Sequence, residues 1–215
     1  MRLSVVATGL ERLSVEDQYH RRIAAMALNR AAREMRTQVA RDIRDQVAFP
    51  ASYLSPRGGR LYVGLTAHKD RLAASIRARF RPTSLARFLV SGSLPGQPRK
   101  LTRIRVRPGT VKAMGRAFPV RLRRGTALTD TQHNLGVAIR LRPGEVVHNK
   151  KQMVRFSRKH RNLYLLYGPS VQQAALAAAG TGVFKDRAAM AAEKVVAEYI
   201  RLLNVKGLFS KRRAA

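Results

Sequence analysis

Two periodicities of hydrophobic residues divide the chain into predicted helices and strands. From Leu28 to Val47 the apolar residues recur every three or four positions. A similar stripe begins after Asp186 and includes Val195. This spacing is that of one face of an α-helix, so it predicts two long amphipathic helices. The first is expected to begin near Asp17 and to end before a Phe-Pro pair, because proline disfavours helical backbone at the residue before it.

The central part of the chain has a period of two instead. Residues 72–80 alternate apolar and polar side chains, and the same alternation returns at 103–107, 120–123 and 137–142. Alternation is typical of strands with one buried face. Arginine fills most of the polar positions, so the four strands are predicted to present it on one face of a sheet. The arginines in this set are Arg77, Arg79, Arg103, Arg105, Arg107, Arg121, Arg123, Arg140 and Arg142.

A continuous apolar run over residues 162–167 predicts one further strand. Tyr167, Gly168, Pro169 and Ser170 end it. Glycine and proline favour turns, so these four residues are predicted to form a structural turn that closes the sheet onto the last helix.

Together these elements predict an α+β fold, with long N-terminal and C-terminal amphipathic helices packed on a mostly antiparallel, arginine-rich β-sheet. A single domain over 1–215 is expected. It would contain an N-terminal strand and helix over 1–49, a sheet region over 60–170, C-terminal helices over 171–205 and a basic tail over 206–215. Segments near 91–100 and 144–160 are rich in proline, glycine and polar residues, which predicts extended loops or arms.

The net charge of the chain says more about its class than its length does. The 215 residues include 43 Lys and Arg against 12 Asp and Glu, a formal net charge of +31 at pH 7. A hydrophobic fraction of 45% separates the chain from disordered basic tails, because that much apolar surface can form a core. From Arg71 to Thr129 the sequence has 13 Arg and 2 Lys and no acidic residue.

That acid-free stretch predicts an anionic partner. Like charges facing one another on neighbouring strands destabilise a sheet, so nucleic acid, an acidic neighbouring subunit or an acidic protein is expected to face the arginines. Guanidinium groups bind phosphate and carboxylate in a bidentate manner. The sequence shows no motif for base-specific recognition.

Candidate chemistry is sparse. The chain has no cysteine, which excludes disulfides, thiolate metal sites and a cysteine nucleophile. Its five histidines are scattered, and its carboxylates do not cluster as a divalent-ion site requires. We therefore expect no enzyme activity, catalytic residue, metal, cofactor or small-molecule substrate. The sequence has no run of about 18 apolar residues, so no membrane partner is expected either.

Three segments stand out in order along the chain: the Ala-Leu-Asn-Arg-Ala-Ala segment at 27–32 leading into 39–44, the alternating run at 72–80 with Arg-Pro-Thr after it, and the segment 163–171. Together they resemble the tail completion or minor tail protein Z family of long-tailed bacteriophages. The most specific piece is Tyr-Gly-Pro-Ser-Val at 167–171.

The resemblance implies a virion structural protein of the phage tail or neck, assembled in the host cytoplasm. It implies a homo-oligomeric ring near the head-tail junction that helps complete or join the tail. Its partners would be other tail and neck proteins such as the tail tube, terminator and connector, with DNA in the channel. Charge alone leaves open an alternative, a general nucleic-acid-binding protein of ribosome-associated or nucleoid type.

Overall fold

The computed structural model of this chain has a mixed α+β architecture with three helices and antiparallel sheets, as predicted. It describes residues 2–6, 18–93, 98, 100–122, 135–147, 149–150, 152–157, 162–180 and 183–211. The helices are α1 (Gln18–Gln46), α2 (Val171–Gly180) and α3 (Val183–Lys211). Within the described residues, no helix has an apolar stretch long enough to cross a membrane.

The strands are short, and many of them are shorter than the alternating patterns suggest. They are β1 (Arg2–Val6), β2 (Leu61–Leu65), β3 (Ala73–Ala78), β4 (Thr83–Ser84), β5 (Leu89–Ser91), β6 (Thr102–Ile104), β7 (Lys112–Met114), β8 (Ala117–Arg121), β9 (Leu135–Arg140), β10 (Met153–Arg155) and β11 (Leu163–Gly168). Every pairing between them is antiparallel.

The chain divides into two compact units, where the sequence predicts one domain. Unit 1 comprises Met1–Ile43, Ser52–Arg79 and Ala175–Ala215. Unit 2 comprises Arg44–Ala51 and Phe80–Ala174. The two are interleaved along the sequence, so the N-terminal and C-terminal helices contribute to the same unit.

In unit 1, α1 packs through a stripe of small side chains. Ala24, Ala27 and Leu28 are fully buried and cluster with Leu72 and with Val195 of α3. Alanine at the contact lets the neighbouring backbone approach closely, while Leu28 supplies most of the buried apolar area. The buried stripe follows the spacing that predicts this helix.

Asn29 ties α1 to the segment that precedes β3. Its Nδ2 donates to the Ala67 carbonyl at 2.9 Å, and its Oδ1 accepts from the Ala67 N–H at 2.8 Å. One side-chain amide thus satisfies both backbone groups of one residue, as a neighbouring strand would.

The sheet of unit 1 has the order β1-β3-β2. Its strand β2 was not predicted from the pattern. The register between β2 and β3 shifts between Val63 and Leu65, at Gly64. A Cβ atom at Gly64 would lie 2.4 Å from Cδ of Arg77, so the absence of a side chain makes room for the aliphatic part of that arginine.

Unit 2 contains two sheets. The larger has the order β10-β11-β9-β8, with β4 also paired to β11, and the smaller has the order β5-β6-β7. Val120, Ala138 and Leu163 form a buried cluster on the larger sheet, against which the partly buried Phe118 and Leu165 pack. Much of this apolar cluster is therefore only partly shielded from solvent.

The predicted structural turn is a strand end followed by a helix start. Tyr167 and Gly168 belong to β11 and pair with Ser84 and Thr83, so only the next two residues connect the elements. Ser170 Oγ accepts from the Gln173 N–H at 3.0 Å, and Gln173 Oε1 accepts from the Ser170 N–H at 2.9 Å. This reciprocal pair is a capping box, and it starts α2 rather than the last helix.

Two other boundaries differ from the prediction. The segment 144–160, expected to be an arm, includes β10, which pairs with β11 from Met153 to Arg155. Three residues are too few for alternation to be recognised as a strand. The expected basic tail from 206 is helical as far as Lys211, because α3 continues through it.

Candidate anion-binding surface

The arginines predicted to share one sheet are distributed over three. Arg77 lies in β3, Arg103 in β6, Arg121 in β8 and Arg140 in β9, and of these strands only β8 and β9 belong to the same sheet. Arg79, Arg105, Arg107 and Arg142 lie in connections, and Arg123 lies outside the described residues. The single arginine-rich sheet is therefore a wrong prediction, because alternation identifies strands but not the partners with which they pair.

Even in the larger sheet, the arginines do not share a face. Arg121 pairs with Leu135, and Arg140 pairs with Leu163. Leu135 and Arg140 are an odd number of residues apart on β9, so their side chains lie on opposite faces. A directly paired residue shares its partner's face, and Arg121 and Arg140 are thus on opposite faces too.

Arginine gathers instead at one end of the larger sheet, where β9 and β10 end and β8 and β11 begin. Arg140 is the last residue of β9, and Arg155 is the last residue of β10. Arg116 immediately precedes β8, and Arg142 follows β9 by two positions. We call these four residues the basic strand end. Side chains at a strand end extend past the sheet from either face, so a common face is not required.

Glu145 connects one side of the basic strand end. Its two carboxylate oxygens accept hydrogen bonds from Arg116 at 2.6 and 2.7 Å, and Oε2 also accepts from the Arg142 N–H at 2.8 Å. Nη2 of Arg116 donates in addition to the Arg140 carbonyl at 2.9 Å. One carboxylate therefore fixes the turn after β9 against the turn before β8.

The same contacts determine the charge of this carboxylate. The Arg116 hydrogen bonds, followed by the Arg142 N–H, lower the pKa of Glu145 to about 2. Glu145 is thus ionised at neutral pH and occupies the guanidinium of Arg116 in a bidentate pair.

Arg140, Arg142 and Arg155 are exposed, and no salt bridge to any of the three is found in the described part of the chain. The positive charge of Arg142 nevertheless contributes to the lowered pKa of Glu145. Neighbouring strands are about 4.8 Å apart, so the row from Arg155 on β10 to Arg116 beside β8 spans about 14 Å. Positive charges held this close repel one another, and a bound polyanion would relieve the repulsion.

A further exposed arginine, Arg103, lies close to the basic strand end. The Thr102 hydroxyl donates to the Ala117 carbonyl at 2.7 Å, which brings the start of β6 beside the start of β8. Arg103 follows Thr102 directly and is exposed.

The charges of unit 1 are arranged differently, because its helices carry carboxylates among the basic residues. Glu198 of α3 accepts from Arg30 of α1 at 2.9 Å and from Arg201 at 2.8 and 2.9 Å. Glu34 of α1 pairs with Lys194 of α3 at 3.3 Å. The hydrogen bonds from Arg201 and then Arg30 lower the pKa of Glu198 to about 2.

Groups suited to catalysis are not brought together within the described residues. There, no three His, Asp or Glu side chains are grouped as a metal site requires. His68 Nδ1 contacts the exposed Asp70 carboxylate at 3.0 Å, and His20 Nδ1 lies 2.8 Å from the Tyr199 hydroxyl. A shallow depression between α1 and α3 is lined by Met35, Met190 and the ion pair of Glu34 with Lys194, and it contains no histidine or second carboxylate. That the chain is not an enzyme stays a prediction.

No protein-family model, curated protein or solved structure matches this chain.

Sequence reasoning missed Arg116, Arg155 and Glu145 as members of the candidate surface. Arg155 lies in a strand too short to show a pattern, and Arg116 lies in a turn. Glu145 offered a signal, because the sequence has only Asp130 between it and the acid-free stretch. A lone carboxylate among so many arginines is a natural candidate for an ion pair.

Proposed function

We propose that this chain is a structural virion protein of a long-tailed bacteriophage, a tail completion or minor tail protein. In this proposal it forms a homo-oligomeric ring near the head-tail junction and helps complete or join the tail. Its basic surface faces DNA or neighbouring subunits. Its other partners are tail and neck proteins such as the tail tube, terminator and connector, and assembly takes place in the host cytoplasm.

The observation that supports the proposal is the excess of basic over acidic residues in unit 2, together with the exposure of Arg140, Arg142 and Arg155. Unit 2 contains 21 Lys and Arg against 3 Asp and Glu. Such a surface repels itself unless an anion or an assembled neighbour lies against it, and a DNA-containing channel supplies both. Ring assemblies also require two different contact patches on each subunit, and a chain with two compact units is compatible with that need.

The resemblance supports the same proposal through the order of its segments. Residues 27–32 and 39–44 are in α1, residues 73–78 of the alternating run are in β3, and 163–171 runs from β11 into the capping box of α2. Each segment thus contains a regular element or the junction of two, in the order in which the resemblance has them.

Electron microscopy of particles assembled from the genome that encodes this chain tests the proposal. We expect density for the chain as a ring at the head-proximal end of the tail. Mass spectrometry of the same purified particles is the control for low occupancy, because it detects the chain without requiring symmetry. If the chain is absent from the particles by both measurements, the proposal is wrong.

A second candidate is a general nucleic-acid-binding protein. The free guanidinium groups of Arg140, Arg142 and Arg155 favour it equally, because phosphate binding needs no ring. This candidate predicts the chain on cellular nucleic acid and not in purified particles. The genes beside its own also separate the two, since a tail tube or tape-measure gene has no place beside a ribosomal factor.

A further inference from the structure

We propose that three arginines of the basic strand end, Arg140, Arg142 and Arg155, bind the phosphate backbone of double-stranded DNA, and that the ion pair of Arg116 with Glu145 positions them. This inference depends on the proposed function only for the setting in which the chain encounters DNA. It assigns the contact to one end of one sheet, and it excludes the other predicted arginines from the principal site.

The spacing of these arginines suits a DNA duplex. Arg155 on β10 and Arg140 on β9 are two strand spacings apart, about 10 Å, which is close to the ~12 Å width of the DNA major groove. Arg155 and Arg140 leave the sheet from opposite faces, because Arg155 pairs with Tyr164, which pairs with Ile139, the residue beside Arg140. Arginines at the two sides of such a row can contact phosphates on both strands that border a groove.

Glu145 also fixes the backbone conformation at the basic strand end. Its bonds to the Arg116 side chain and the Arg142 N–H hold the turn, and Arg116 also holds the Arg140 carbonyl. The backbone that carries two free guanidinium groups is therefore fixed before any ligand arrives, which lowers the entropic cost of binding. Glu145 forms its short ion pair with the Arg116 side chain, and it attracts the charge of Arg142 at longer range.

The surroundings of the row indicate which kind of polyanion binds. A protein interface of this size normally has an apolar centre from which charged residues are depleted, whereas DNA-binding surfaces are strongly positive. Pro143, Gly144 and Asn162 lie beside the row in the chain and are exposed. The exposed apolar side chains beside it, Val146 and Val154, are single valines next to charged residues and not a continuous apolar patch. Single-stranded nucleic acid needs exposed aromatic rings for stacking, and the adjacent Tyr164 and Phe156 are partly buried.

A comparison of two charge-matched triple variants tests this. The first is Arg140→Gln, Arg142→Gln and Arg155→Gln. The second is Arg33→Gln, Arg77→Gln and Arg121→Gln, which removes the same charge from exposed positions on α1, on β3 and at the opposite end of β8. Binding of each to a labelled 30-base-pair DNA duplex is measured over a range of NaCl concentrations, after circular dichroism and thermal melting show that both remain folded.

We expect the first triple to weaken binding at least tenfold at 0.15 M NaCl and to reduce the slope of log K against log salt by about 3, since each phosphate contact contributes about 0.9. The second triple should weaken binding by less than about threefold, through the loss of general attraction. Equal losses in the two triples would show that net charge alone binds DNA, and the inference would be wrong.

Glu145 is tested in the same assay with Glu145→Gln. Removing a negative charge beside a DNA site should tighten binding if only charge matters. We expect weaker binding instead, by about threefold, because the turn that carries Arg142 is released. Tighter binding would overturn the positioning role.

An acidic polypeptide serves as the alternative probe. If poly-glutamate binding is lost in the first triple while DNA binding is kept, the surface serves an acidic protein and the inference is wrong. These results are independent of the particle experiment. A chain that is absent from virions but loses DNA binding only in the first triple would retain this site and lose the proposed function.

Discussion

The two compact units of this chain differ in how many acidic residues accompany their basic ones. Unit 1 contains 22 Lys and Arg against 9 Asp and Glu, and unit 2 contains 21 against 3. In unit 1, Glu198 of α3 pairs with Arg30 of α1, and Glu34 of α1 pairs with Lys194 of α3. Arg201 adds a second pair to Glu198 within α3. In unit 2, the described part of the chain has one such pair, Arg116 with Glu145.

Their cores differ in the same sense. Unit 1 buries a dense stripe of alanine and leucine between helices, while the apolar cluster of unit 2 depends on several partly buried side chains. Unit 2 also buries Leu85, Phe88 and Leu166, so it has a core of its own. The difference in charge pairing within the described residues supports the proposal that the partner binds on unit 2.

The largest expected effect is on the core of unit 1. Leu28→Ala removes a fully buried side chain and should lower the free energy of unfolding by about 2 to 5 kcal/mol. Leu165→Ala in unit 2 is the matched change at a partly buried position and should cost about 1 kcal/mol. Urea denaturation followed by circular dichroism measures both. If Leu165→Ala costs as much as Leu28→Ala, the cores do not differ as described.

The next effect concerns the link between α1 and the Ala67 segment. Asn29→Ala leaves the Ala67 N–H and carbonyl without their side-chain partner, so we expect a loss of about 1 to 3 kcal/mol. Asn29→Asp is the informative companion, because it keeps the acceptor and removes the donor. It should lie between alanine and wild type, and a loss under about 0.3 kcal/mol for alanine would contradict the link, given the usual effect of surface changes.

The smallest effect is a dependence of stability on pH, and it compares one carboxylate from each unit. The pKa values of Glu145 and Glu198 are both lowered from 4.5 to about 2. Their folded pKa values lie below the unfolded ones, so each contributes stability that is complete above about pH 4.5 and is lost as the pH falls towards 2. Over this pH range the urea midpoint of Glu145→Gln should decline less steeply than that of the wild type. The midpoint of Glu198→Gln should do the same.

A third variant controls for charge in that series. Glu193→Gln removes an exposed carboxylate of α3 for which no ion pair is found in the described residues. Its midpoint should decline with pH as steeply as the wild type. If all three variants behave alike, the two ion pairs are not the source of the acid sensitivity.

How far the sequence predicts this protein depends on the range of the interaction. The stripe on α1 and the long run of β11 are local periodicities, and both elements are confirmed. Strands such as β2, β7 and β10 were missed because they are short and because pairing with distant strands, not local pattern, makes them strands. The candidate surface was only half predicted, since Arg140 and Arg142 were identified and Arg116, Arg155 and Glu145 were not.

By itself, the sequence determined the two long helices, the α+β class and the excess of arginine over acid, because these follow from composition and from spacing within about twenty residues. Only the tertiary structure decided that the arginine strands belong to three sheets, that Arg121 and Arg140 face opposite ways, and that an end rather than a face collects the charge. The physical reason is register. Period and charge are properties of one segment, but which side chains meet depends on hydrogen bonds between segments far apart in the chain.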